Sequence, residues 1–293
     1  MDYYDTLCMS GGGIKGFSFV SALKYLYDNH NLDMTKIKTF VGTSMGGILC
    51  FFLSLNYTLD ELYDFIIKFN FKILEPSINI DNFLLNYGVE QGKKAEIIFI
   101  NFLKEKYNKT DITFKELYNL TKNKLILIGT NYTKAKEEAF DYINTPELSV
   151  ITALRITMSI PLVFTPILYN NCYYVDGGII NNFPIKYCNK NTTLGLYIKL
   201  CSDNNNLDSV FNIFQKCIVM VGDSINEKDI NNNDVNIIVI KNIQETVDVI
   251  DFNLDIKKKE ELFNLGVQAS KEFIENYSYK ICKNIINDII NKL

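Results

Sequence analysis

The sequence predicts an α/β fold with a parallel sheet, because its first 55 residues contain two strand–turn–helix units. The apolar run Tyr3–Met9 is typical of a strand, and a glycine-rich turn separates it from helical spacing over Phe17–Asp28. The run Ile37–Val41 predicts a second strand, followed by a glycine-flanked serine and an apolar helix that extends to Leu55. Strands that alternate with helices in this way favour a parallel sheet covered by helices.

The rest of the chain keeps this alternation, and we find no internal repeat. Apolar residues at helical spacing predict further helices over Leu59–Asn70, Lys93–Tyr107, Thr113–Thr121, Ser149–Ser159, Leu207–Val221 and Lys259–Ile274. Short apolar runs predict strands over Leu125–Thr130, Glu138–Ile143, Tyr173–Val175, Thr193–Leu200 and Asn236–Ile240. The tail Tyr277–Leu293 places its isoleucines on one helical face, which we expect to pack on the protein's own domain.

Composition argues against several classes of function. The chain has 293 residues, 47% of them hydrophobic, and a net charge of −4, so no overall basic field favours nucleic acid. We expect a local basic cluster, Lys257–Lys259, to be a solvated helix end. The seven cysteines are odd in number and include no C-x-x-C pair, which indicates reduced core thiols and neither disulfides nor a zinc site.

Several features bear on location and source. The N-terminal segment MDYYDTLCMSGGG has neither a basic region nor an apolar core, so we expect no cleaved secretion signal. We find no run of eighteen apolar residues and expect no membrane span. We therefore expect an intracellular, cytoplasmic protein, with peripheral membrane contact left open. Arg155 is the single arginine, and this bias towards lysine is typical of an AT-rich genome, viral or microbial.

A glycine-rich turn, Ser10–Gly16, joins the first predicted strand to the first predicted helix. Successive glycines present bare N–H groups, and a helix N-terminus behind them favours negative charge. Three interpretations fit: a dinucleotide-binding loop with G-x-G-x-x-G spacing, an oxyanion hole for acyl transfer, or a plain turn. A dinucleotide loop requires an acidic residue at the end of the second strand. Asp33 precedes that strand instead, so this interpretation is the weakest.

The second motif is Gly42–Gly46 (GTSMG), a G-x-S-x-G turn between a predicted strand and a predicted helix. Such a turn presents its serine, here Ser44, at the carboxyl edge of the sheet as a nucleophile; a purely structural turn is the alternative. A nucleophilic serine needs a base. The single histidine, His30, follows the first helix and is expected at the opposite rim. A Ser–His–Asp triad is therefore disfavoured, and a carboxylate is the expected partner.

The third motif is Asp176–Gly178 (DGG), which follows the predicted strand Tyr173–Val175. Alone it is typical of an ordinary turn. An aspartate at the end of a parallel strand would lie on the same sheet edge as Ser44. A carboxyl group with a pKa of about 3.9 is a weak base, but it accepts the serine proton when donors stabilise the oxyanion.

Together the three motifs resemble those of the patatin-like phospholipase family, in type and in order. That family has a G-G-G-x-[K/R]-G loop, a G-x-S-x-G nucleophile and a D-G-[G/A] base, and it uses a Ser–Asp dyad without histidine. The matching residues are Gly11, Gly12, Gly13, Lys15, Gly16, Gly42, Ser44, Gly46, Asp176, Gly177 and Gly178. The likeness extends to Ser159–Pro166 and Asn181–Pro184 and covers about Thr6 to Ile198. Ser10 departs from the pattern, since plant members often carry aspartate there.

The resemblance implies a three-layer α/β/α sandwich with a mostly parallel central sheet. It implies a catalytic domain over residues 1–200, with a C-terminal α/β extension over residues 201–293 packed on it. The implied activity is that of a phospholipase A or lysophospholipase, which cleaves acyl esters of lipids without metal or cofactor.

The resemblance also implies a role for each matching residue. Ser44 would be the nucleophile and Asp176 the base. Backbone N–H groups of Gly11, Gly12 and Gly13 would form the oxyanion hole, and the helix after Ser44 would direct its N-terminal dipole at the site.

Two other functions remain open from the sequence. One is a non-catalytic scaffold that binds a membrane or a protein partner, for which the amphipathic tail Tyr277–Leu293 is the candidate feature. The mixed charges of that tail favour packing instead. The other is a nucleotide-dependent oxidoreductase, which the misplaced Asp33 disfavours. The expected partner is a phospholipid or another acyl lipid, with transient membrane contact left open and no nucleic acid.

Overall fold

The computed structural model describes residues 3–75, 80–199, 235–241 and 252–290, with side chains for all except 80–82 and 280–290. The described strands are β1 (Thr6–Met9), β2 (Thr39–Thr43), β3 (Gly88–Glu90), β4 (Lys124–Asn131), β5 (Lys136–Phe140), β6 (Leu162–Phe164), β7 (Ile167–Tyr169), β8 (Cys172–Asp176), β9 (Thr193–Ile198) and β10 (Asn236–Ile240). The described α-helices are α1 (Ser18–Asp28), α2 (Met45–Ser54), α3 (Leu59–Lys68), α4 (Ile80–Asn86), α5 (Lys93–Tyr107), α6 (Phe114–Thr121), α7 (Val150–Thr157) and α8 (Ile256–Ile290). The predicted helix Leu207–Val221 lies outside the described residues.

The central sheet is mostly parallel. Its strands follow the order β10–β9–β1–β2–β4–β8–β7, with β5 also paired to β4. The neighbours from β10 to β4 are all parallel, whereas β5, β7 and β8 join in antiparallel pairs. A separate short pair, β3 with β6, lies beside this sheet. The predicted α/β class with a mostly parallel sheet is confirmed.

The pairing along β4 brings two strand ends together. β2 pairs with residues 124–128 of β4, and β8 pairs with residues 129–131. β5 pairs with residues 127–131 and so occupies the opposite edge of β4. β2 and β8 therefore lie end to end on one edge, and their carboxyl ends face each other because they run in opposite directions. The prediction that Asp176 ends a parallel strand is wrong, yet the antiparallel strand delivers it to the end of β2.

The two faces of the sheet bury different side chains, as the period of two along a strand requires. Leu7 of β1 and Phe40 of β2 belong to the large core beneath the helices. Cys8 and Val41, their neighbours in sequence, belong to a smaller core on the other face, which Phe183 covers. The sheet is therefore buried on both faces where it carries the serine turn.

The described part of the C-terminal third packs on this sheet and on α1. β10 adds a parallel strand beside β9. α8 packs along α1, where Ser21 Oγ donates to Phe263 O at 2.8 Å and Ser270 Oγ donates to Ala22 O at 3.0 Å. The domain boundary at residue 200 stays a prediction.

α8 corrects the prediction of a separate helix Lys259–Ile274 and tail Tyr277–Leu293. One helix runs from Ile256 to Ile290, because neither glycine nor proline interrupts the chain between the two predicted segments. Within the described ranges, no helix combines the length and the apolar content that crossing a membrane requires, α8 included.

Lys259 also departs from the sequence prediction of a solvated helix end. Its side chain is buried, and its Nζ donates to Ile67 O at 2.9 Å and to Phe69 O at 2.7 Å. These carbonyls lie at the C-terminal end of α3, where the helix itself supplies no donor. Lys257 is exposed as predicted. Lys259 therefore pins the first turn of α8 to the end of α3.

Four of the seven cysteines have described side chains, and all four are free thiols. Cys8, Cys50 and Cys172 are buried and Cys188 is half-buried. Burial raises the pKa of the Cys8 and Cys50 thiols, which keeps them protonated and unreactive. These four agree with the predicted reduced core cysteines.

Candidate active site

Ser44 occupies a strained turn between β2 and α2. Its backbone has φ 53° and ψ −127°, a conformation that residues with a side chain rarely adopt. The Ser44 N–H donates to Thr157 Oγ1 at 2.9 Å, and the Thr157 hydroxyl donates to Ile128 O at 2.6 Å. Thr157 of α7 thus links the serine turn to β4. No sequence pattern predicted this role for Thr157.

Gly42 and Gly46 are required by close packing around this turn. A Cβ at Gly42 would lie 2.6 Å from backbone atoms of Gly46 and Gly47. A Cβ at Gly46 would lie 2.5 Å from the carbonyl oxygens of Met9 and Ser10. Because the obstructing atoms are all backbone, no flexible side chain can move aside to admit a larger residue. The spacing of the motif therefore follows from the tight approach of α2 to the ends of β1 and β2.

Asp176 ends β8 opposite Gly129 of β4 and is only 4% exposed. Its Oδ1 accepts the Gly178 N–H at 2.7 Å. Its Oδ2 is buried and makes no hydrogen bond of standard geometry to any described residue. The Ser44 hydroxyl lies close enough to the carboxyl group to lower its pKa. The structure thus places the two residues predicted as a dyad side by side, without a hydrogen bond of standard geometry between them.

Burial has the largest influence on the Asp176 carboxyl group. Loss of hydration raises its pKa to about 7, although the Gly178 N–H and the Ser44 hydroxyl each lower it. A carboxyl group with this pKa is a much better proton acceptor near neutral pH than an ordinary aspartate. The weakness of aspartate as a base, evident from its usual pKa, is therefore largely removed by its surroundings.

The glycine-rich loop passes directly beside Ser44. The Gly11 N–H donates to Asn182 O at 3.0 Å and is therefore not free to bind an oxyanion. The N–H groups of Gly12 and Gly13 have no acceptor among the described residues, and Gly13 lines the same cavity as Ser44. Of the three N–H groups predicted to form the oxyanion hole, only those of Gly12 and Gly13 are therefore available as donors.

Lys15 and Gly16 lie in a short 3₁₀ turn, Gly13–Phe17, that leads into α1. The Lys15 carbonyl accepts the Ser18 hydroxyl at 2.6 Å, which ties the turn to the first residue of α1. Gly16 faces the side chain of Met45, the residue after the serine. Gly16 thus allows the glycine loop to pack closely on α2, and Lys15 links the loop to α1.

The segment that follows Asp176 ties the three motifs together. Gly177 packs so closely on β4 that a Cβ there would lie 2.4 Å from Ile128 O. Thr43 Oγ1 donates to Asn181 O at 2.9 Å, next to the serine. Asn182 O accepts the Gly11 N–H, and its Oδ1 lies beside both Gly11 and Gly178. The run Asn181–Pro184, part of the likeness in sequence, thus has a structural role, because its backbone links the segments that carry Asp176, Ser44 and the glycine loop.

His30 lies apart from this site. It is exposed in the turn after α1, where its N–H donates to Tyr27 O at 3.0 Å. It lines a surface cavity with Tyr3 and Lys36, and that cavity shares no residue with the one at Ser44. The described residues also include no cluster of three or more His, Cys, Asp or Glu side chains placed to share a metal ion.

An apolar cavity of about 110 Å³ extends from Ser44 into the core. Its walls include Phe17, Met45, Ile48, Phe52, Phe65 and Phe71. Besides Ser44, the lining includes the polar side chains of Glu90 and Lys94, and Lys94 is exposed to solvent, which places the mouth of the cavity near these two residues. A ligand bound here would place an apolar segment inside and a polar segment at this mouth.

The fold and this geometry define a class: an α/β protein whose strained serine and buried aspartate meet beside a glycine-rich loop. The model of the patatin-like phospholipase family matches residues 7–188, which is more than half of the chain. The chain belongs to the patatin-like phospholipase family.

Two viral relatives extend this comparison. The chain is 38% identical over 197 residues to the probable lipid hydrolase 463L of Invertebrate iridescent virus 6, a match that covers 64% of this chain and 66% of that protein. It is 28% identical over 280 residues to protein R571 of Acanthamoeba polyphaga mimivirus, which covers 92% of this chain and 93% of the relative. These relatives agree with the viral source that the composition left open.

Two solved structures share the fold at low identity. VipD from Legionella pneumophila matches with a TM-score of 0.57 and 14% identity, over 93% of this chain and 67% of that one. ExoU from Pseudomonas aeruginosa, solved with SpcU, matches with a TM-score of 0.56 and 15% identity, over 94% of this chain. The chain spans about half of ExoU, 53% of its length. The likeness confirms the predicted fold class.

Proposed function

We propose that this protein hydrolyses acyl esters of phospholipids or lysophospholipids, with Ser44 as nucleophile and Asp176 as base. The single observation that carries the proposal is the placement of the Ser44 hydroxyl beside a buried carboxyl group whose pKa is raised to about 7. Membership of the patatin-like phospholipase family and the likeness to a probable lipid hydrolase support lipid hydrolysis as the general activity.

Acylation begins as Ser44 Oγ attacks the ester carbonyl carbon. Asp176 takes the hydroxyl proton, and the carbonyl oxygen becomes an oxyanion that accepts hydrogen bonds from the Gly12 and Gly13 N–H groups. The ester C–O bond then breaks, and the proton on Asp176 passes to the departing alcohol oxygen. The N-terminus of α2, which begins directly after Ser44, stabilises the same negative charge.

Deacylation repeats these roles with water. Asp176, ionised again, takes a proton from a water molecule that attacks the acyl–Ser44 ester. The oxyanion forms at the same N–H groups, and collapse releases the fatty acid and returns the proton to Ser44 Oγ. The cavity walls include Phe52, Phe65 and Phe71. They favour an acyl chain over a polar acid, because binding there removes the apolar surface of the acyl chain from water.

Fatty acid release from mixed phospholipid and lysophospholipid substrates tests this proposal. Ser44→Ala should abolish release, and Asp176→Asn should lower it by about 10²–10⁴-fold, the usual contribution of a positioned general base. His30→Ala is the matched control and should retain wild-type release, since His30 lies in a separate cavity.

Equal release by the wild type, Ser44→Ala and Asp176→Asn would overturn the proposal. A fluorophosphonate probe gives an independent measurement, because it reacts covalently with activated serines. Labelling that persists in Ser44→Ala would assign the nucleophile to another residue. No labelling and no release in the wild type would instead favour the non-catalytic scaffold.

A further inference from the structure

The rim of the cavity exposes an unusual concentration of large apolar side chains. Leu84 and Leu85 of α4 are 67% and 74% exposed, and Tyr87 beside them is 68% exposed. Ile73 and Ile97, each next in sequence to a residue that lines the cavity (Leu74 and Ile98), are 54% and 57% exposed. Isolated exposed apolar residues are ordinary, but a cluster of this kind marks an interaction surface.

These residues form one rim because the segments that carry them contact each other. α4 packs on β3, whose Glu90 lines the cavity mouth. Lys94, in the first turn of α5, lines the same mouth and donates from its Nζ to Glu75 O at 2.8 Å, just after the turn that holds Ile73. Ile97 follows Lys94 by three residues and so lies on the same side of α5.

The rim is fixed to the body of the protein by a buried arginine. Arg155 of α7 is 4% exposed and donates from its guanidinium to Gln91 O, in the turn between β3 and α5. Its guanidinium also lies 5.5 Å from the ring centroid of Phe164, the β6 residue opposite Glu90. The turn between β3 and α5, which separates Tyr87 from Ile97 in the sequence, is therefore anchored to α7.

We propose, on the basis of the lipid hydrolysis proposed above, that this rim docks on a lipid surface and presents the cavity mouth to the lipids there. The segments that carry the rim also line the cavity at Ser44, through Leu74, Glu90 and Ile98, so a lipid held at the rim would lie close to the cavity. Its apolar side chains would enter the boundary between headgroups and acyl chains, as those of interfacial helices do.

The charges around the rim favour the same occupant. Lys72, Lys93 and Lys94 are exposed on the segments that carry the rim, where they could meet phosphate headgroups. Glu75 and Glu96 share the rim, so attraction to anionic lipid adds to the apolar contact and does not replace it. This surface is distinct from the tail Tyr277–Leu293, the feature considered from the sequence.

Vesicle flotation of the inactive Ser44→Ala protein tests the docking surface without any turnover. The vesicles are phosphatidylcholine with or without phosphatidylserine, and Leu84→Ser with Leu85→Ser should lower binding by about tenfold or more. The matched control is the double variant Leu120→Ser with Ile143→Ser. Leu120 is 46% exposed and Ile143 is 61% exposed, and neither belongs to the rim. The control should bind like its parent.

The same substitutions in the active protein separate docking from chemistry. The rim variant should hydrolyse a soluble short-chain ester at the wild-type rate and vesicle lipid more slowly. Equal vesicle binding by rim and control variants would overturn the docking proposal, as would a parent that does not bind vesicles. A parent that is dimeric, and becomes monomeric in the rim variant, would assign the surface to a second copy. Vesicle binding without any ester hydrolysis would instead remove the proposed function and leave the docking surface standing.

Discussion

Replacement of Asp176 by asparagine should stabilise the protein while it removes the base. The carboxyl group is buried, and its pKa rises from the usual 3.8 to about 7. Each pKa unit corresponds to about 1.4 kcal/mol, so ionised Asp176 lowers the free energy of unfolding by about 4 kcal/mol above pH 7. Asparagine fits the same space, accepts the Gly178 N–H with its Oδ1, and carries no charge to desolvate.

The effect should depend on pH in a defined direction. Below about pH 3 the aspartate is neutral in both folded and unfolded chains, and up to pH 4 wild type and Asp176→Asn should have nearly equal stability. Between about pH 4 and pH 7 the unfolded chain releases this proton first, so wild-type stability falls as pH rises. Above pH 7 the difference in stability between Asp176→Asn and wild type stays near its full value. For a chain of this length that difference corresponds to several degrees in Tm.

Thermal unfolding of both proteins at pH 4, 6 and 8 measures this gap. Asp141→Asn is a matched control, since Asp141 is equally buried but accepts the Ile143 and Asn144 N–H groups at 2.7 and 2.8 Å. The Asn144 side chain donates to its other oxygen at 2.9 Å, so asparagine there should destabilise the protein. The reasoning is refuted if Asp176→Asn is less stable than wild type at pH 8, or if the gap does not change with pH.

Three further substitutions test the packing around the site. Gly46→Ala should lower the free energy of unfolding by about 1–3 kcal/mol and remove most of the activity, because the new Cβ would meet two carbonyl oxygens. A soluble variant whose urea unfolding midpoint equals that of the wild type would contradict this. Thr157→Val should lower the free energy of unfolding by about 1–3 kcal/mol and lower kcat, since the Ser44 N–H loses its acceptor. An unchanged kcat would show that Thr157 does not hold Ser44 in position. Lys259→Met should cost about 1–3 kcal/mol in urea unfolding, whereas Lys257→Met should stay within about 0.5 kcal/mol.

Local sequence patterns predicted the nucleophile turn well, because its requirements are local. The glycines on both sides of Ser44, the strand before and the helix after are all contained in one short stretch. The base was a different case. The role of Asp176 stays a prediction; the expected parallel strand is wrong, because β8 is antiparallel, although it still places Asp176 beside Ser44. The pairing of β8 with the last residues of β4 is a long-range property that no local pattern contains.

Other parts of the site were not predictable for similar reasons. Thr157 contacts the Ser44 N–H from a helix whose sequence is typical of an ordinary buried helix. α4 and the three-residue strands β3 and β6 are too short for a periodic signal, although they form the rim of the cavity. The raised pKa of Asp176 arises from burial and is invisible in the sequence. Lys259 was expected in solvent because the carbonyls that it binds belong to a distant helix end.

The central claim is that Ser44 is activated by a carboxyl group whose pKa is raised to about 7. The most direct measurement is the rate of Ser44 acylation by a soluble para-nitrophenyl ester as a function of pH, followed as the burst of para-nitrophenol. The account predicts a rate that rises to a plateau with a midpoint near pH 7 in the wild type and is lost in Asp176→Asn. A rate that is flat with pH, or an Asp176→Asn variant acylated as fast as wild type, would contradict it.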